Sequence, residues 1–235
     1  MSGPTAPGQG NDHGQGHQHE SGSGSDRGPS ADASVGKASL NDLPALGIVQ
    51  AAVWQEAYDG IVPPEVHAAF QPSAFAAGWR ESVSNPPPGV YELLVARAGG
   101  QVVGFAAIAP SQDPDAGQTT GEIIALGVHP HGRRQGHGSR LVNACVDRLR
   151  EAGAEHVAAW VLVPHEMTRA FLAAAGLTPD GAYRDRVVSP DGATAREARL
   201  VAHIGAAADT AAPPSPGAPP SADPSPRSDS PPSPE

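Results

Sequence analysis

GVHPHGRRQGHGSR, Gly127 to Arg140, follows the apolar run EIIAL and precedes a helical pattern, and it gathers glycine and arginine in a chain whose formal charge is −10. Leu141, Val142, Cys145, Val146 and Leu149 recur after it on one helical face. The loop therefore ends at a helix N-terminus, where the first backbone N–H groups have no partner inside the helix. Those donors and the positive end of the helix dipole attract an anion. Glycine lets the backbone approach such a ligand without a Cβ in the way, and Arg133 and Arg134 can add charge-assisted hydrogen bonds. A plain polar turn would use the same glycines for its geometry. As an anion site, the loop suits a pyrophosphate.

Working outward, the chain alternates helical and strand-like text. NDLPALGIVQAAVWQEAY offers Asn41 and Asp42 as caps and then Leu43, Leu46, Val49, Val53 and Trp54 at helical spacing. Pro63 and Pro64 open a short helical stretch through Phe70, and SAFAAGWRES reads as a third helix before NPPPG ends it. VYELLVARAGGQVVGFAAIAP is a hairpin, two β-rich runs around Ala98, Gly99 and Gly100. Strand GEIIALGV, helix Gly138 to Ala152, strand HVAAWVLV and helix EMTRAFLAAAG follow, and strands AYRDRVVS and AREARLVAHI close the pattern around Pro190, Asp191 and Gly192. The order predicts an α/β class: a mixed sheet with helices on its faces.

Composition divides the 235 residues into three. Residues 1–36 are rich in Gly, Ser, Gln and His with almost nothing to bury, and residues 206–235 are rich in Pro and Ser, so both flanks are expected to be disordered. Residues 37–205 remain as the folded unit, about 170 residues, ample for one core. The acidic excess is shared between the flanks and this unit, which speaks against nucleic acid or an anionic membrane as partner. MSGPTAPGQG lacks the pattern of a signal peptide and no apolar run is long enough to span a bilayer, so the expectation is a cytoplasmic protein. The single cysteine, Cys145, falls on a helix's apolar stripe and reads as packing. In the arm, His13, His17 and His19 read as a solvated polar stretch and not a metal site, and the Ser-Pro pairs at Ser215, Ser225, Ser230 and Ser233 as a solubilising tail.

Two nucleotide readings of the loop fail on residues. A P-loop needs a Gly-Lys pair, and Lys37 is the chain's only lysine; a dinucleotide fingerprint needs a third glycine, and Leu141 stands there. What fits is Val128-x-Pro130-x-x-Arg133-x-x-Gly136-x-Gly138. It resembles the acyl-CoA loop of the GNAT superfamily of N-acetyltransferases, V-x-P-x-x-[QR]-x-x-G-x-[GA]. VWQEAYDGIVP, GEIIALGVHP and AFLAAAGLTPDGAYR resemble other segments of that superfamily, so the likeness spans residues 40–188. The resemblance implies the GNAT-type fold, whose central strands splay to admit acetyl-CoA. It also implies that backbone donors of Arg133, Arg134, Gln135, Gly136, His137, Gly138 and Ser139 hold the phosphates. Leu126, Gly127 and Val128 would pair with the pantetheine arm, and no metal is implied.

Transfer to an amine requires a neutral amine, a polarised thioester carbonyl and a protonated leaving thiolate. Glu122, a carboxylate in an apolar strand where many relatives carry a glutamate, is the base candidate; a solvated or arginine-paired residue at the strand's start is the alternative. The sequence departs from the family's usual acid. Leu172 stands at the tyrosine position, His165 at the asparagine and Leu177 at the phenylalanine. His165 or Tyr183 could substitute, water could donate, or the chain could be a catalytically weak CoA-binding module. Trp54, Tyr58, Trp79 and Tyr91 are candidates to line an acceptor site, and Asp59 or Asp113 to attract a cationic amine, although both tryptophans also suit a core. The expected function is transfer of acetyl, or less readily a longer acyl, to a primary amine by a monomer or homodimer.

Overall fold

Leu93 and Val95 alternate with Leu94 and Ala96, and Phe105 and Ala107 with Ala106 and Ile108, so each strand of the hairpin has two apolar faces and must be covered on both. The computed structural model, which describes residues 33–205, shows how. Seven strands form one sheet in the order β1-β2-β3-β4-β5-β7-β6. They are β1 Ala33–Lys37, β2 Glu92–Ala98, β3 Gln101–Pro110, β4 Thr120–Val128, β5 His156–Leu162, β6 Thr178–Val187 and β7 Thr194–His203. On one face lie α1 Leu43–Ala57, α2 Pro64–Ala68 and α3 Pro72–Ser84; on the other, α4 His137–Glu151 and α5 Glu166–Ala174.

The two faces have separate cores. Leu43, Leu46 and Val49 of α1 meet Leu93, Val95, Phe105 and Ala107. Leu141, Val142, Cys145 and Leu149 of α4 meet Leu94, Ala106, Ile108, Ile123 and Val157. Cys145 is fully buried, and burial pushes its thiol up to about 12, so it packs as expected. Trp79 donates from Nε1 to Gln50 Oε1 at 2.6 Å beside the α1 core, which also assigns it to packing.

Two expectations shift. The folded unit begins before residue 37: residues 33–36, placed in the unfolded arm, form with Lys37 an edge strand whose Ala33 to Lys37 pair antiparallel with Ala98 to Leu94. ASVGK is too short and too poor in large side chains to announce itself, and only its partner strand makes it one. The first helix is preceded by a 3₁₀ turn, Leu40–Asp42, in which Ser39 donates from its backbone N–H (2.8 Å) and hydroxyl (2.7 Å) to Asp42, which also accepts from Arg97 (2.7 Å). The readings of the His-rich stretch and the Ser-Pro tail lie outside the described residues.

β4 and β5, joined through α4, are the parallel pair at the centre. Their ladder runs only from Thr120↔His156 to Ile123↔Ala159. Beyond it β4 stays with β3 and β5 with β7. The break coincides with a bulge: Ile108 pairs with Ile123 and Ala107 with Ala125, leaving Ile124 unpaired and half exposed. An extra residue bends its strand and adds twist, which carries the end of β4 away from β5.

Helix glycines give a paired test of this packing. A Cβ at Gly47 would lie 2.2 Å from the carbonyl oxygen of Pro72, whereas one at Gly78 meets nothing within 4 Å. Gly47→Ala should lower stability in urea unfolding by about 1–3 kcal/mol through overpacking, and Gly78→Ala should raise it by about 0.5–1 kcal/mol through helix propensity.

Candidate active site

The opened seam has a lining that follows from the loop. After Val128 the chain makes a 3₁₀ turn, Pro130–Gly132, then passes through Arg133, Arg134, Gln135 and Gly136 into α4. Arg134 (φ 62°) and Gly136 (φ 80°) lie in the left-handed region, so the loop coils tightly before the helix. Gln135 Nε2 donates to the His131 carbonyl and Arg140 Nη1 to the Gln135 carbonyl, both at 3.1 Å, which holds this shape. The first backbone bond of α4 runs from Arg140 N–H to the Gly136 carbonyl. Among the described residues, Arg134, Gln135 and Gly136 donate no N–H to a backbone carbonyl, and His137, Gly138 and Ser139 are the helix's first-turn donors. A Cβ at Gly138 would sit 3.1 Å from the Phe171 ring, so glycine is what lets α5 close over this helix start.

Arg133 is placed differently from the expectation. Its guanidinium forms a two-point pair with Glu56 of α1, Nη1 to Oε1 at 2.7 Å and Nη2 to Oε2 at 2.9 Å, and Nε donates to the Val128 carbonyl at 3.2 Å. Its backbone N–H closes the 3₁₀ turn onto Pro130 at 3.3 Å. Arg133 therefore ties the loop down, and the open donors are those of Arg134 to Ser139. The His137 side chain is 1% exposed with neither ring nitrogen hydrogen-bonded, and burial, then the charge of Arg140, holds its pKa below the ordinary value. Spacing marked this residue for its backbone alone; nothing in the sequence announced the buried ring.

Glu122 stands where the β4–β5 ladder is still intact, opposite Ala109 on one side and Ala158 on the other. It is 7% exposed, and its carboxylate accepts from Ser111 Oγ at 3.4 Å. Burial, then the nearby Asp113 carboxylate, raises its pKa above the ordinary 4.5, while Arg184 opposes this. Solvation at a frayed strand start is thereby excluded. Strand alternation puts Trp160, Arg184, Glu197 and Arg199 on this face. The Arg184 guanidinium lies 4.3 Å from the centre of the Trp160 ring and donates from Nε to the buried Glu197 at 2.6 Å. Trp160 Nε1 donates to Asp113, and Arg199 binds Asp113, Asp115 and Asp180 together. Of this group only Asp113 carried a signal in the sequence; Trp160, Asp180, Arg184, Glu197 and Arg199 are scattered over three strands and Asp115 lies in the β3–β4 loop, joined by a pairing order that sequence does not print.

The remaining candidates disperse. His165 caps α5, and its Nε2 donates to the Ala57 carbonyl at 2.7 Å. Tyr183 is on β6, separated from β5 by β7, on the face opposite Arg184, with Arg196 over its ring. It therefore stands on the other face of the sheet from Glu122. Leu172 is buried in the α4-side core. Trp54 and Tyr58 are in aromatic contact on α1, at the Glu122 face. Tyr91 lies beside Gly89, and Asp59 is exposed in the turn after α1. Among the described residues no cluster of three His, Cys, Asp or Glu side chains is arranged to hold a metal ion, and no helix is long and apolar enough to cross a membrane.

Comparison with known proteins matches these elements. The family model described as "Acetyltransferase (GNAT) family" matches residues 54–177. The chain is 35% identical over 95 residues to a mycothiol acetyltransferase of Saccharopolyspora erythraea, a match covering 40% of this chain and 30% of that one. It spans about a third of the length of the curated relatives it matches. The PaiA N-acetyltransferase of Thermoplasma acidophilum, solved with coenzyme A, superposes with a TM-score of 0.55 at 17% identity over 73% of this chain and 98% of that one. YncA of Salmonella typhimurium, solved with acetyl-CoA, gives 0.54 at 18% identity over 78% and 99%.

Burial of Glu122 has a consequence for stability. A carboxyl with a raised folded pKa binds its proton more tightly when folded, so stability falls as pH rises from 4.5 through the folded value and stays lower above it. Glu122→Gln should therefore raise the Tm at pH 7, and the gain should vanish below pH 4.5. Thermal unfolding of both proteins across pH 4 to 8 reads this directly; a lower Tm at pH 7 would mean that the charged form is stabilised in place.

Proposed function

The chain belongs to the GNAT family of acetyltransferases, and on that premise we propose that it transfers an acetyl group from acetyl-CoA to a primary amine, with Glu122 as general base. The observation that carries this reading is a single arrangement. The seam between β4 and β5 opens beyond Ile123, unspent amides of Arg134 to Ser139 stand at its open end, and a buried carboxylate stands at its closed end.

The residues fit the co-substrate. The amides of Arg134, Gln135, Gly136, His137, Gly138 and Ser139 would hold the pyrophosphate, and the unpaired edge at Leu126, Gly127 and Val128 would take the pantetheine amides as an added strand does. When bound, acetyl-CoA supplies an acetyl group activated as a thioester. Main-chain donors along that edge favour negative charge on the reacting oxygen. Glu122 receives the proton the amine loses, directly or through a water, and its raised pKa brings it closer to the range in which a base is effective. With Leu172 in the core, the leaving thiol takes its proton from solvent in the open seam.

A second reading rests on that same Leu172: a CoA-binding module with little turnover. One assay set separates them. Calorimetric titration with acetyl-CoA should show saturable binding by the wild type and by Glu122→Gln alike. Thiol release against a panel of primary amines should show turnover that falls about 100-fold or more in Glu122→Gln, the usual scale for general base catalysis. The acidic limb of kcat/KM, set by Glu122 above 4.5, should disappear in that variant. Binding without thiol release from any amine would favour the module; absence of binding would remove both.

A further inference from the structure

Glu56 and Ala57 are consecutive residues at the end of α1, yet they bond to opposite sides of the seam. Glu56 takes both Nη groups of Arg133, in the loop that continues β4. Ala57 accepts from the His165 ring, in the segment that continues β5. The helix itself reaches both sides. Val53 packs where a Cβ on Gly127 of β4 would stand, 3.1 Å away, and Tyr58, the C-cap, packs with Leu162 of β5. Arg133 and His165 both bear on the Glu56 carboxylate, whose pKa is lowered chiefly by its hydrogen bonds to Arg133.

We propose that the last turn of α1 is a clasp across the open seam, in which Glu56 and His165 are positioning residues that fix the separation of β4 from β5, and Arg133 supports cofactor binding through Glu56 and not through the phosphates. The proposal rests on the reading that acetyl-CoA lies in this seam. A half-exposed ion pair adds little to folding stability. Its effect here is geometric: a two-point bond on one side and a ring-to-carbonyl bond on the other hold the ends of two strands whose ladder stops at Ile123 and Ala159. Because the same helix carries Trp54 and Tyr58 on the Glu122 face, an acceptor that shifts α1 would also move the donors that face the pyrophosphate, which couples the two sites.

The test is a double-variant cycle in the full chain. Glu56→Ala and Arg133→Ala should each weaken acetyl-CoA binding about 10-fold, and the double variant should be no weaker than the worse of the two. His165→Ala should raise KM for acetyl-CoA with kcat changed less than about 3-fold, the pattern of binding lost equally in the ground and transition states. Effects of Glu56→Ala and Arg133→Ala that multiply to about 100-fold would mean that Arg133 meets the cofactor independently, and the clasp would be wrong. Hydrogen exchange of the unliganded proteins gives a readout that does not depend on the cofactor. Glu56→Ala should speed exchange at His131, Gly132 and Arg133, whose amides are hydrogen-bonded within the turn, and leave the β2–β3 ladder unchanged; equal exchange in both proteins overturns the clasp. A wild type that binds no acetyl-CoA while exchange responds as expected would fault the cofactor reading and leave the clasp standing.

Discussion

The hydrogen-bond ladder between β4 and β5 stops after Ile123 and Ala159. A parallel pair buried under helices on both faces normally continues, because each interior N–H or C=O left without a partner costs about 1–3 kcal/mol. Here the bulge at Ile124 turns β4 away, and the edge that loses its strand partner becomes accessible from the seam. A closed ladder would leave no strand edge for a pantetheine arm. The bulge must therefore be held, and two features hold it: the intact pairing of β4 with β3, and α1 packed across the gap.

Charge is distributed in keeping with that opening. The loop side supplies donors, main-chain amides at the start of α4, while the β5–β7–β6 side supplies carboxylates. Arg199, 12% exposed, gathers three aspartates, and Arg184 covers Trp160 while binding Glu197. These arginines pin the β3–β4 loop and the edge strand around Glu122 and compensate most of the acidity there. Among the described residues the Glu122 carboxylate has a single long hydrogen bond, from Ser111, and burial together with the Asp113 charge outweighs Arg184 and that bond. A carboxylate kept short of partners lowers stability and raises basicity together.

The helices on the two faces do different work. α4 and α5 close one core and present an N-terminus to the seam, with glycine at 138 so that Phe171 can approach. α1 closes the other core and reaches both lips of the opening. The site is thus bounded by elements far apart in sequence, residues 53–58, 122–139 and 160–199, whose contacts exist only after the sheet has assembled.

Local pattern was enough for most of the architecture. Runs rich in β-formers between turn residues gave six of the strands and period-3.6 runs the helices, because composition and periodicity along the chain record which faces are covered. The loop motif marked the open amides at the start of α4, since glycine spacing and a following helix start are contiguous features, and EIIAL marked Glu122 as a carboxylate among apolar neighbours. What the sequence could not carry was anything set by strand order. Ala33–Lys37 becomes a strand because β2 offers it a ladder. Tyr183 stands away from Glu122 because β7 comes between β6 and β5, and the Arg133 guanidinium is tied down because Glu56 stands opposite it. Each of these depends on which distant residue arrives as partner. Side-chain type and spacing along the chain do not encode that choice, and the assembled sheet makes it.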